Sequence, residues 1–160
     1  MDIMEVVLEP AGDLQVIVGQ AHFIKTVEDL YEALVSAVPG LKFGVAFCEA
    51  SGKALVRFDG SEPELAKCAA DFAIRIGAGH SFVVVLEGAY PINVLNRIKS
   101  LDEVATVFCA TSNPVTVVVG VSGQGRGVLG VIDGGSPKGK EGESEKAERH
   151  ELLRKIGYKR

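Results

Sequence analysis

Leu65-Ala66-Lys67-Cys68-Ala69-Ala70-Asp71-Phe72-Ala73-Ile74-Arg75-Ile76 runs into Gly77-Ala78-Gly79-His80-Ser81 and then into Phe82-Val83-Val84-Val85-Leu86. Within this stretch the apolar period changes. Leu65, Cys68, Ala69, Phe72, Ala73 and Ile76 recur at helical spacing, whereas 82–86 is an unbroken apolar run of strand length. Gly77 is the expected helix stop, since glycine accepts the left-handed conformation at a helix end. A helix joined by a short glycine turn to a buried strand points to a layered α/β domain. The same turn exposes backbone amides to an anion and sets His80 beside them. Its plainer reading is a C-cap glycine followed by a residue that opens a strand.

Outward from this unit the elements alternate. Strands are expected at 6–8 and 14–18, joined by the turn Pro10-Ala11-Gly12-Asp13. Thr26 is the expected N-cap of a helix that places Val27, Leu30, Tyr31, Leu34 and Val38 on one face and stops at Pro39-Gly40. Residues 43–47 and 55–58 read as an antiparallel pair. Ser61 and Glu64 form a capping box ahead of the 65–76 helix. Pro91 opens a short helix through Ser100, and 104–109 and 115–119 read as strands covered on both faces. Residues 128–132 are a further strand, 134–143 a charged flexible linker and 144–156 a last helix. The expectation is one domain over residues 1–160, a three-layer α/β/α fold with a mixed sheet.

Composition narrows the partners. The chain has 17 Lys/Arg and 21 Asp/Glu, of which residues 137–160 hold eight and five, so the rest is acidic. An acidic body is a poor nucleic-acid surface, and the tail is too mixed in sign for a polybasic arm. No apolar run reaches membrane-spanning length, so no membrane partner is expected. Cys48, Cys68 and Cys109 look like buried free thiols, and the first residues lack the pattern of a secretion signal. A cytoplasmic location is therefore expected.

Polar groups collect at the junctions. Gly125-Arg126-Gly127-Val128-Leu129-Gly130 matches GxGxxG, but a strand follows where a dinucleotide fold needs a helix. The run reads either as a glycine hairpin or as Arg126 presented to a phosphate. His22 lies shortly before the first helix, where its dipole welcomes an anion. Asn93, Asn96, Arg97 and Ser100 form a helical stripe able to read an adenine edge or ribose hydroxyls. Thr111-Ser112-Asn113-Pro114 and Cys48-Glu49-Ala50-Ser51-Gly52-Lys53 end two strands in the same polar way. No GxxxxGK[ST], no metal-ligand spacing and no GxSxG occurs.

Gly19-Gln20-Ala21-His22-Phe23-Ile24-Lys25-Thr26-Val27-Glu28-Asp29-Leu30, Lys42-Phe43-Gly44 with Glu49-Ala50-Ser51-Gly52, Gly77 to Phe82, Pro91 to Asn96, and Gly125 to Gly134 together resemble the adenosine-specific kinase family of archaea and bacteria. The similarity covers nearly the whole chain; Gly135 departs from it, standing where a bulky residue is expected. The resemblance implies an oligomeric α/β/α domain, a trimer among the expected forms, that binds adenosine or AMP and carries a phosphohistidine. It assigns that role to His80 first and to His22 in reserve. Gly77, Gly79, Ser81, Gly125, Arg126 and Gly127 are then expected at the phosphate. Asn93, Asn96, Ser112 and Asn113 are expected at the nucleoside, with Glu49 as a base or as a group that orients the histidine. No cofactor is expected beyond a Mg2+ ion accompanying transfer. The same residues suit a second reading, an AMP or adenosine sensor without catalysis.

Overall fold

The computed structural model describes residues 1–160. It contains β1 (Asp2–Leu8), β2 (Gln15–Ala21), α1 (Thr26–Val35), β3 (Lys42–Cys48), β4 (Val56–Gly60), α2 (Pro63–Ile76), β5 (Ser81–Glu87), a 3-10 turn (Pro91–Asn93), α3 (Leu95–Lys99), β6 (Val104–Thr111), β7 (Val115–Val121), β8 (Arg126–Asp133) and α4 (Glu143–Lys155). The α/β class holds, but the strands form two sheets, of order β4-β3-β5-β2-β6 and β1-β7-β8. Every pairing is antiparallel, in place of the expected mixed sheet. The turn at Pro10–Asp13 does not close a hairpin: β1 pairs with β7, while β2 lies between β5 and β6.

Alternation along the central strands explains the packing. Ile17, Phe43, Val45, Phe47, Phe82, Val84 and Leu86 face Leu30 and Leu34 of α1 and Ile98 of α3. Their neighbours Val16, Val18, Ala46, Val83 and Val85 face the other way, onto α2 and onto the inner residues Val6, Leu8, Val115, Val117 and Val119 of the small sheet. That second face is covered partly by a helix and partly by a sheet. β3 and β5 are almost wholly buried because both of their faces are covered. β6 lies at an edge and β7 has one open face, so the expected double coverage fails for both.

Neither expected side-chain cap forms. Thr26 is the first helical residue, not the cap; its hydroxyl donates to the Phe23 carbonyl, and Lys25 occupies the cap position. Ser61 does not close a capping box on α2 either. Its Oγ accepts the Phe43 N–H at 2.9 Å and donates to the Leu41 carbonyl at 3.1 Å, so it ties the helix entry to β3. The stripe from Asn93 to Ser100 is broken at Val94, where the 3-10 turn gives way to α3.

Candidate functional site

Helix α2 ends as expected: Gly77 adopts φ +61° and donates to the Ala73 carbonyl at 2.9 Å. This end of α2 meets the start of β8, because β7 and β8 form a hairpin whose turn spans Ser122 to Gly125. The result is a cleft of about 570 Å3 lined by Glu49, Gly77, Gly79, Gly125, Arg126 and Gly127, together with Met1, Gln124 and Leu129. Six expected site residues from three segments far apart in sequence are brought together here. Arg126 crosses over Gly77, where an added Cβ would stand 2.9 Å from its guanidinium, and its Nη1 donates to the Arg75 carbonyl at 3.4 Å. Gly125 and Gly127 have open space above their Cα atoms, so nothing on those residues blocks a ligand. A glycine-walled cleft with a single arginine can bind an oxyanion through amides and a guanidinium.

His80 borders this cleft through Gly79 but does not line it. Its ring stacks on Phe47, with centroids 5.8 Å apart and planes 16° from parallel. Its backbone is left-handed (φ +66°), uncommon for a residue with a side chain. Two strands hold it there: the His80 N–H donates to the Cys48 carbonyl at 2.8 Å, and its own carbonyl accepts the Ala21 N–H at 2.9 Å. Ser81 turns inward and donates to the Ala78 carbonyl at 2.7 Å, and it lines a small side cavity with Gln20, Gly79 and Gly127. The Glu49 carboxylate accepts the Leu55 N–H at 2.9 Å and Arg57 Nη2 at 3.0 Å. The Leu55 amide and then Arg57 hold its pKa below the usual carboxylate value, which disfavours the role of base.

The expected nucleoside residues lie elsewhere. Asn96 and Ser112 line a cleft of about 700 Å3 with Gln15, Tyr90, Ile92, Leu95, Thr111 and the C-terminal Leu152, Ile156 and Tyr158. Asn93 Oδ1 accepts the Tyr90 N–H at 3.0 Å, and its Nδ2 donates to the Tyr158 hydroxyl at 3.4 Å. Asn113 is turned to Asp133, with its Nδ2 3.4 Å from Oδ1. Gln15 marks this cleft and Gln20 the cavity beside the arginine cleft. Five residues of extended strand separate them, about 16 Å. One protomer therefore cannot place all the expected residues around one small ligand.

The family model described as adenosine specific kinase matches residues 6–159. The chain belongs to the adenosine-specific kinase family. It is similar to the solved PH1918 protein from Pyrococcus horikoshii OT3, with 46% identity, a TM-score of 0.95 and coverage of 99% of this chain and 98% of that one. No curated protein matches the sequence.

In this adenosine-specific kinase family member, a charged cluster that sequence reasoning missed, Lys25, Asp29 and Glu103, lies beside the backbone of His22. The His22 N–H donates to the Glu103 carbonyl at 3.1 Å. The Glu103 side chain is 1% exposed, 4.0 Å from Lys25 Nζ, and neither carboxylate oxygen has a hydrogen-bond donor. Burial and then the neighbouring Asp29 raise its pKa. Glu103 follows Asp102 in a plain polar loop, so only its burial sets it apart. Burial also raises the three thiols, Cys109 to about 11, consistent with inert cysteines. No helix is long and apolar enough to cross a membrane.

Proposed function

We propose that the chain binds adenosine or AMP in the glycine–arginine cleft and acts there as an adenosine-specific phosphotransferase through a phosphohistidine. One observation carries the binding part: the two glycine loops, 77–79 and 125–127, converge on one cleft with Arg126 between them. Arg126 and the loop amides take the phosphate and offset charge on the transferring oxygens. Gln124 and Leu129 offer one polar and one apolar contact to the nucleoside. His80 adjoins the cleft and is the first acceptor for the phosphoryl group; His22, at the same end of β2, is the second. No group of three or more His, Cys, Asp or Glu side chains is arranged to hold a metal. A Mg2+ ion would thus arrive on the donor's phosphates, as nucleotide-bound magnesium commonly does.

A second reading, binding without transfer, is favoured by a specific observation. Neither imidazole lines the cleft, and the Glu49 carboxylate is already engaged. In either reading the protein works as a homo-oligomer, with a trimer the leading form.

Calorimetric titration of AMP into the wild-type chain and Arg126→Ala tests the binding. Binding weakened at least tenfold by the substitution is expected, as loss of a charge-assisted contact of about 1.5–3 kcal/mol implies. Equal affinity for AMP in both proteins would remove the assignment of this cleft. Acid-labile phosphate retained by wild type and lost in His80→Gln supports transfer through His80, whereas loss only in His22→Gln moves the role to His22. Tight AMP binding with no phosphate on either histidine leaves the sensor reading.

A further inference from the structure

The 700 Å3 cleft at the far end of β2 has a character unlike that of the arginine cleft. It is walled by Tyr90, Ile92 and Leu95 on one side and by Leu152, Ile156 and Tyr158 on the other. None of its twelve lining residues carries a charge. A phosphate entering it would give up part of its hydration and meet no cation among the lining residues. A planar uncharged ring faces no such cost and gains two tyrosines and the aliphatic side chains of Ile92, Leu95, Leu152 and Ile156.

Polar groups are nevertheless present on the cleft's floor. Thr111 Oγ1 is taken by the Asn113 N–H at 3.0 Å. Gln15, Asn96 and Ser112 present two amides and a hydroxyl from three separate segments. Each amide offers a donor beside an acceptor, the pattern on the edge of a purine or pyrimidine ring. A mostly apolar cleft with a few convergent polar groups is the usual form of a small-molecule site.

The C-terminal helix forms one wall. α4 has no buried residue, and residues 134–142, which lead to it, are almost all exposed. What holds it to the body is this cleft: Leu152, Ile156 and Tyr158 line it, and the Tyr158 hydroxyl accepts from Asn93. Those three side chains remain 55%, 44% and 41% exposed, so the wall is weakly held. An element with few buried contacts and a long connection opens at low free-energy cost.

We propose that this cleft is a second ligand site, selective for an uncharged nucleoside, with α4 as its lid. The choice of a nucleoside among planar heterocycles rests on the proposed function; the cleft's selection against phosphate rests only on its lining. Adenosine can then occupy this site while AMP is confined to the arginine cleft, toward the other end of β2.

The test is calorimetric titration of the full chain with adenosine and with AMP, for wild type, Arg126→Ala, Asn96→Ala and Tyr158→Ala. Thermal melts confirm that each variant folds. The expected result is adenosine binding that survives Arg126→Ala and weakens roughly five- to tenfold in Asn96→Ala and Tyr158→Ala, with AMP showing the opposite dependence. Hydrogen exchange should also show greater protection of α4 amides when adenosine is bound. Adenosine binding lost in Arg126→Ala and unchanged in the other two would overturn the second site while leaving the arginine cleft intact. Absence of adenosine binding, with AMP binding retained, overturns it equally.

Discussion

Glu103 shows how burial can favour a proton on a side chain whose sequence context does not announce it. Its carboxyl is buried, neither oxygen has a hydrogen-bond partner and the Asp29 carboxylate is its neighbour, so burial first and Asp29 second favour its protonated form. Glu103 first, and Lys25 with its Nζ 3.1 Å from the carboxylate, lower the pKa of Asp29 in turn. The two shifts act oppositely on stability. For Glu103 the raised value gives a contribution that is full below the ordinary glutamate pKa and is lost as pH rises through the raised one. For Asp29 the contribution is present above the ordinary aspartate pKa and is lost as pH falls through the lowered one. Glu103→Gln keeps a donor that cannot ionise, so it should gain stability over wild type as pH rises, by about 1–3 kcal/mol once wild-type Glu103 has ionised. Thermal melts of both proteins from pH 4 to 9 check this; parallel curves would remove the raised pKa of Glu103 as a source of pH-dependent stability.

Among the elements, α2 lies unusually close to β3, and Gly44 is the reason. A Cβ on Gly44 would run into the Leu65 carbonyl and the Ala66 nitrogen in the first turn of α2, atoms that cannot move without shifting the helix. Gly19 plays a similar part on β2, where an added Cβ would meet the Phe82 ring and the Thr106 carbonyl at 2.7 Å. Gly130 in β8 has nothing within 4 Å. Gly44→Ala should therefore cost about 1–3 kcal/mol, as overpacking does, while Gly130→Ala stays near neutral. Urea unfolding of the two variants measures the difference, and equal midpoints would contradict the close approach of helix and strand. The nearby Ser61–Glu64 pair teaches the same lesson. Its spacing fits a capping box, but the hydroxyl is drawn to β3, because a pattern within four residues cannot register a strand some twenty residues away.

For the whole molecule, the small sheet buries one face and leaves the other open. Ile3, Val7, Leu129 and Ile132 are 69%, 40%, 56% and 55% exposed on β1 and β8. Apolar side chains gathered on one sheet face are a surface suited to association. Leu129 also lines the arginine cleft, so a partner seated on this face would sit beside the bound ligand. If the proposed oligomer uses this face, Leu129→Glu should shift sedimentation toward the monomer and weaken AMP binding together. An unchanged sedimentation profile places the contact elsewhere.

The sequence by itself determined the element types, the family, the left-handed stop at Gly77 and the hairpin reading of 43–47 with 55–58, because each rests on residues close together or on long runs in order. It also raised the expectation that Gly77, Gly79, Gly125, Arg126 and Gly127 act together, and these converge on one cleft. Only the tertiary structure decided that β1 and β2 part into separate sheets. Strand pairing is settled by which apolar faces can be buried together, and no local pattern carries that choice. For the same reason the asparagines and Ser112 fall in a cleft away from Arg126, His80 turns onto Phe47, and Glu103 becomes a buried acid. Side-chain identity and spacing show what chemistry a residue offers; burial and neighbours, which come from distant chain segments, decide where that chemistry is used.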